Sequence, residues 1–399
     1  MTDPHNLLSR RRALHLLGGA AAAGSLAPRL SFARTSPATA QGEKRFVFLI
    51  LRGGMDGLAA LLPVGDPAFA ALREDFADAG DAVQLDGTFA LHRELAPLKA
   101  YYDAGELLPV HAVATSHRGR SHFEAQDVLE AGLDRPTAHS AGWVSRLAGA
   151  VERRNGASRL GLSVGPTIPF ALRGSVPVAS VAPDLLPGAP AVFLDRMAGL
   201  WNDDAQLGPA LHTALGAGDD GDEMMHGLGG GIKAATALAG LAADRLVQPM
   251  GPRIAVLDLN GFDTHSAETN RLDQQFRALA AVLTTLAEGL RPVWHDTAIL
   301  AVSEFGRTAR PNGSGGTDHG TAGAAFLLGG AVQGGRVLAD WPGLGQSQLF
   351  EGRDVAPTLH VAALYKGIAA QHFGLDGRAG LATLFPDQGA LPPAAVIRA

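Results

Sequence analysis

Cysteine is absent from the 399-residue chain. Its absence excludes disulfides, thiolate zinc sites and cysteine nucleophiles, so stability has to come from a packed core, which a chain of this length can bury. Glycine motifs of the Walker or dinucleotide type are missing, as is any internal repeat. Beyond the N-terminal segment, no stretch is long and charge-free enough to span a bilayer. Basic charge is also scarce. The whole chain carries −6, and residues 1–40, with five arginines and one aspartate, account for +4, which leaves −10 for the remainder. A moderately acidic protein is a poor match for wrapping nucleic acid.

The N-terminal segment has the order of an export signal. Ser9-Arg10-Arg11-Arg12-Ala13-Leu14 resembles a twin-arginine motif, Leu14 to Ala27 is mildly apolar, and Ala38-Thr39-Ala40 offers a small-x-small cleavage site before Gln41. A basic tail or short anchor is the other reading, but it does not explain that order. Residues 1–40 are therefore expected to be a signal read by the twin-arginine export machinery. The mature chain from residue 41 is expected to be periplasmic or secreted, with no transmembrane segment.

Three apolar runs each lead into a loop bearing acidic groups or histidine. Phe46–Leu51 precedes Arg52-Gly53-Gly54-Met55-Asp56-Gly57, Ile254–Leu259 precedes Asn260-Gly261-Phe262-Asp263-Thr264-His265, and Thr297–Val302 precedes Ser303-Glu304-Phe305-Gly306-Arg307-Thr308. Short apolar runs of this kind read as buried parallel strands, and ligands collect beyond the carboxyl ends of such strands. Carboxylates aimed at one crevice repel unless a cation shares it, so the pattern points to a metal site.

From Phe46 onward, apolar runs alternate with helical spacing, which predicts an α/β fold with a largely parallel sheet covered on both faces. Further strands are expected at Leu107–Thr115, Leu160–Val164, Val176–Val181 and Ala324–Leu328, and helices at Leu91–Asp103, Ser121–Gly132, Glu268–Leu290 and Asp354–Phe373, the last capped by Asp354. Residues from about 183 to 243 look helical and interrupted, and are expected to form a cap or insertion over the sheet.

Asp263 and His265 are two apart in extended chain, so both point to one side and can share an ion; a turn aspartate beside a surface histidine is the plainer reading. Asp318-His319-Gly320 offers more ligands. Asp56 follows two glycines at a strand end, where it either faces the crevice or closes an Asx turn. Glu304 ends another strand, and a salt bridge to Arg307 or Arg310 would also explain it. Ser121-His122-Phe123-Glu124 reads as a capping box, which explains Ser121 structurally. The same helix start could instead stabilise charge on a nucleophilic serine. His117, Arg118, Arg120 and His122 crowd that loop and suit an anionic substrate.

Together with the export signal, Leu51–Leu58, Leu91-His92, Leu108-Pro109-Val110, Arg120–Gln126, Gly261–His265, Ser303–Thr308 and Asp318–Gly320 resemble the DUF1501 family, and through it the alkaline phosphatase and sulfatase superfamily. That resemblance implies a three-layer α/β/α, doubly wound, alkaline phosphatase-like sheet carrying one or two divalent ions, with a nucleophile at a helix start. Carried over, Asp56 becomes the first-strand ligand and Ser121 the nucleophile, with Asp263, His265 and His319 around one ion. Arg118, Arg120, His122 and Arg307 are left to bind substrate. Glu304-Phe305-Gly306 departs from the superfamily's aspartate and histidine before glycine. One register leaves Asp56, Glu304 and, as an optional third ligand, Ser121 as an oxygen-only site suited to Mg, Mn or Ca, and a mixed site suited to Zn, Mn or Fe; in the other, Asp318-His319 is the pair and one ion binds. Without cysteine or a maturation motif around Ser121, sulfatase chemistry is not expected. The reading is an exported, metal-dependent hydrolase of phosphate mono- or diesters acting on an anionic small-molecule or polymer substrate. Its alternative is a non-catalytic, metal-stabilised binding or structural protein of the cell envelope.

Overall fold

The computed structural model describes residues 43–74, 81–135, 141–155, 161–181 and 231–398. The export segment, and the expected insertion as far as residue 230, lie outside the described residues. Among the described residues, no helix is long and apolar enough to cross a membrane.

Phe46–Leu51 becomes β1 (Arg45–Arg52), in which every residue except the last is buried. Successive side chains of a strand face opposite ways, so a strand buried throughout needs a layer on each side. Phe46, Phe48 and Ile50 join Trp143 and Tyr365 in one core, with Phe48 meeting the Trp143 ring edge-on at 5.2 Å. Val47, Leu49 and Leu51 enter the other core with Leu246, Leu279 and Leu283. The result is a three-layer α/β/α arrangement.

Seven further strands complete the main sheet: β2 (Leu107–Ala114), β3 (Gly161–Val164), β4 (Val178–Val181), β5 (Ile254–Asn260), β6 (Thr297–Ser303), β7 (Gly323–Leu328) and β8 (Leu359–His360). Their spatial order is β8-β2-β7-β6-β1-β5-β3-β4. All neighbours run parallel except β7, which is antiparallel to both β2 and β6. The register between β7 and β2 shifts by one residue near His111 and Ala112, and Ala112 takes φ +55° there, a bulge that redirects the chain entering the 115–121 loop. A small separate sheet joins Leu61–Leu62, Ala90–Leu91 and Val83–Gln84.

Among the described residues, the main helices are α1 (His122–Ala131), α2 (Trp143–Asn155), α3 (Ile232–Val247), α4 (Glu268–Gly289), α5 (Val361–Gly367) and α6 (Arg378–Leu384), with shorter helical turns between. The α3 helix buries Ala239, Ala242, Ala243 and Leu246 in the core that also holds α4.

Two expected helices differ. Leu91–Asp103 divides into a strand end at Leu91, a 3₁₀ stretch over Arg93–Leu98 and an α-turn over Lys99–Asp103. Pro97 brings no amide hydrogen to that stretch and cannot sit inside a continuous α-helix. Asp354–Phe373 begins late, at Val361, because Pro357 disfavours helix at the residue before it. His360, not Asp354, caps it, accepting from the Ala362 amide at 3.0 Å.

Candidate metal site

β6, β1 and β5 lie side by side, with Leu51 opposite both Ser303 and Leu259. Their three following loops therefore leave the sheet at one edge, as the apolar runs predict. Close packing of the loops needs glycine at Gly53. Its φ is +116°, and a Cβ there would lie 2.4 Å from the Asp263 amide nitrogen.

A buried guanidinium fastens the loops together. Arg307, 1% exposed, donates to the carbonyls of Gly53, Gly54 (2.7 Å), Phe262 (3.0 Å) and Thr317 (3.2 Å), and to Asp263 Oδ1 at 2.6 Å. Burial alone would raise the Asp263 carboxyl, but the bond and charge of Arg307 outweigh it and hold the group at about 2. Asp263 is therefore ionised at any physiological pH.

Beside Asp263 stand His122, at the start of α1, and His319, from the loop before β7. One ligand-capable atom from each of the three lies within 4.8 Å of the other two, the one such group among the described residues. The other ring nitrogen of each histidine is already committed. His319 Nδ1 donates to the Arg120 carbonyl at 2.8 Å, and His122 Nδ1 donates to Glu304 Oε1 at 2.8 Å. In the neutral ring, each Nε2 is then a bare lone pair. His122 Nε2 faces Asp263 Oδ2 at 3.4 Å, and His319 Nε2 faces Asp263 Oδ1 at 3.2 Å. The exposed His265 adds its Nε2 at 2.9 Å from His319 Nε2 and 3.0 Å from Asp263 Oδ1. Lone pairs turned on one another repel unless a proton or a cation lies among them, and imidazole held from behind by a carboxylate or carbonyl is the usual dress of a metal ligand. The residues fit one divalent ion bound by nitrogen and oxygen.

The two histidines titrate in opposite directions. The Glu304 bond, opposed by burial, raises His122, while burial lowers His319. Burial would raise Glu304, but the bonds from His122 and Gln126 reverse that, and it stays a carboxylate.

Several expected roles change. Asp56 is 1% exposed and caps the turn Gly57–Ala60, accepting from the Leu58 amide at 2.9 Å and the Ala59 amide at 3.2 Å. Arg73 pairs with it at 2.5 Å. The Asx-turn reading holds there, and Asp56 does not join the cluster. Glu304 stands behind the cluster instead of in it, accepting from the Gly53 amide (2.9 Å), Gln126 (3.1 Å) and His122. Among the described residues, Asp56 and Glu304 do not gather into an oxygen-only cluster, since Asp56 pairs with Arg73 and Glu304 accepts from Gly53, Gln126 and His122. Phe305 packs its ring 4.9 Å from those of His122 and His319. Asp318 is exposed, 3.5 Å from His265 Nδ1, and Asn312 donates to it at 3.1 Å.

Among the expected substrate-binding residues, His122 belongs to the cluster and Arg307 is consumed in holding it. Arg118 donates to the Thr115 and His117 carbonyls of its own loop, and Arg120 pairs with Glu351 at 3.0 Å. Ser121 is exposed at the opening of α1, but its side chain makes no capping bond, so the capping box does not form. Glu124 lies 3.7 Å from His117 instead. Ser121 sits between Arg120, whose carbonyl holds His319, and His122.

Two supporting residues escaped the sequence reading. Gln126 stands four residues after His122, a spacing that places both on one helix face and could have flagged it. Arg73 gives no such signal, since its partner lies seventeen residues away across a turn.

The model of the DUF1501 family, described as a protein of unknown function, matches residues 136–384. The chain belongs to the DUF1501 family. Within this DUF1501 match lie Asp263, His265, Glu304 and His319, while Ser121 and His122 precede it. No curated protein matches. The DUF1501 chain is similar to a protein in the alkaline phosphatase superfamily from Vibrio parahaemolyticus at 12% identity, over 84% of this chain and 68% of that one, with a TM-score of 0.40. It is also similar to phosphonate monoester hydrolase of Agrobacterium radiobacter at 16% identity, over 83% and 74%, with a TM-score of 0.39. A third is the C-terminal periplasmic domain of EcEptC from Escherichia coli in complex with Zn, at 10% identity over 73% and 74%, with a TM-score of 0.38.

Proposed function

We propose that this protein is an exported hydrolase of phosphate mono- or diesters that works with one divalent metal ion. The observation that carries the reading is the convergence of His122 Nε2, Asp263 and His319 Nε2, with both Nδ1 atoms engaged from behind. His122, Asp263 and His319 would hold the ion, with His265 beside them, and a mixed nitrogen and oxygen set suits Zn, Mn or Fe. When bound, it would polarise a phosphoryl oxygen and ease deprotonation of an attacking hydroxyl.

Ser121 is the nucleophile in this reading. Its hydroxyl is uncommitted locally, and it opens a ten-residue helix whose first amides favour an anion in front of them. Attack by Ser121 Oγ on phosphorus forms an O–P bond and breaks the P–O bond to the leaving alcohol, which departs with the proton the serine gives up, and water then hydrolyses the serine-bound phosphoryl group. Export rests on the arginine motif and cleavage site of residues 1–40.

The test is elemental analysis of purified protein followed by turnover of aryl phosphate mono- and diesters. Ser121→Ala should keep the ion and lose turnover, and His319→Ala should lose both. Hydrolysis that persists in both variants rejects the site.

A second reading, a metal-stabilised binding or structural protein of the cell envelope, is favoured by Asp56 and Glu304 being spent on Arg73, His122 and Gln126, which leaves ligands for a single ion. Chelator-sensitive thermal stability restored by one ion, with no hydrolysis of any ester, would select it.

A further inference from the structure

Glu268 opens α4 and is fully buried, yet it touches none of the clustered ligands. Its carboxylate oxygen Oε1 accepts from Thr264 Oγ1 at 2.8 Å and from Thr317 Oγ1 at 3.0 Å. Thr264 lies between Asp263 and His265, and Thr317 lies two residues before His319. The same two threonines also meet through their backbones, with the Thr317 amide donating to the Thr264 carbonyl at 3.2 Å. The Glu268 amide donates to the Gly315 carbonyl at 2.9 Å, at the head of the segment that leads to Thr317.

One oxygen thus ties together two stretches of chain that are distant in sequence and carry the candidate ligands. The turn that delivers it is strained: Ala267, immediately before Glu268, takes the left-handed conformation with φ +47° and ψ +42°. A side-chain residue held there has to be compensated by bonds on either side. Burial makes each hydroxyl bond matter, because a displaced threonine would leave a buried donor or acceptor without a partner.

We infer that Glu268 is a positioning residue for the metal site, a staple whose two hydroxyl bonds set the spacing of the Asp263–His265 loop against His319. The inference rests on the metal reading above. It concerns the residues that preorganise the ligands, and losses of about 10–100-fold in affinity are typical when such support is removed.

The experiment compares full-length wild-type protein, Glu268→Leu, Glu268→Gln and Leu272→Ala. The last removes buried apolar surface one turn further along α4 and touches neither threonine bond. Zn²⁺ affinity is read by competition with a chromophoric chelator, and ligand geometry by the visible absorption of the Co²⁺ form. Glu268→Leu should bind about 10–100-fold more weakly with an altered Co²⁺ spectrum. Glu268→Gln, which keeps an acceptor oxygen, should restore both readouts, and Leu272→Ala should lower the melting temperature without changing either. If Glu268→Leu does not fold, Thr317→Val removes one arm and should still weaken binding and alter the spectrum. Binding by Glu268→Leu or Thr317→Val as tight as wild type, or equal weakening in Leu272→Ala, overturns the inference alone. Wild-type protein that takes up no ion overturns the metal reading and this inference with it.

Discussion

His122 Nδ1 lies 2.8 Å from Glu304 Oε1, and this contact leaves His122 Nε2 aimed at Asp263 Oδ2, 3.4 Å away. A carboxylate behind an imidazole fixes its tautomer and raises its basicity, so under the proposed metal reading Glu304 is expected to tune the affinity of His122 for the ion. Glu304→Gln keeps the shape and removes the charge. Zn²⁺ affinity measured by chelator competition should fall about 10–100-fold, and an unchanged dissociation constant would remove Glu304 from the site.

Asp56 and Arg73 form a buried pair in which a guanidinium already matches the carboxylate. Removing one member strands the charge of the other, which typically costs about 3–5 kcal/mol. Arg73→Met should lower unfolding stability on that scale in denaturant titrations. Metal stoichiometry should stay at one ion per chain in whatever protein remains folded. A second ion bound by the wild type would overturn the assignment of Asp56 to the fold.

Acid should destabilise the protein through two histidines remote from the cluster. Burial lowers His111 and His372 from 6.5 to about 4. Between those values the unfolded chain binds protons that the folded chain refuses, so both residues contribute stability that is present above 6.5 and lost as pH falls through about 4. Each contribution is on the order of 1–3 kcal/mol. Melting temperatures recorded from pH 8 to pH 4 should decline below 6.5, and His372→Gln should flatten part of that decline. A flat profile in the wild type would contradict the burial of both rings.

Ala267 offers a gain instead of a loss. Its left-handed backbone costs a side-chain residue about 1–2 kcal/mol, and glycine occupies that region freely. Offset by the extra freedom of glycine in the unfolded chain, Ala267→Gly should raise stability by about 0.5–1 kcal/mol in chemical denaturation. A destabilised variant would show that Ala267 is not strained.

Much of the fold was legible because its causes are local. Strands buried on both faces have to be continuously apolar, and β1, β5 and β6 each show that run, with the glycine or acid that ends it. The shared direction of Asp263 and His265 was likewise readable from their spacing of two in extended chain, whereas His319 was reached only through Asp318-His319-Gly320 and the family resemblance. The capping box at Ser121 was read from a pattern that also permits an uncapped serine, and here Glu124 turns to His117.

What the chain alone determined is the set of elements and the edge of the sheet at which its acids and histidines gather, because periodicity and strand burial are properties of short segments. What each acid does there was decided only by tertiary structure. Asp56 and Glu304 look equivalent as strand-end carboxylates, yet Arg73 claims the first, and His122 and Gln126 claim the second. A carboxylate's role is set by whichever donor reaches it first in space, and those donors arrive from parts of the chain that no local pattern connects.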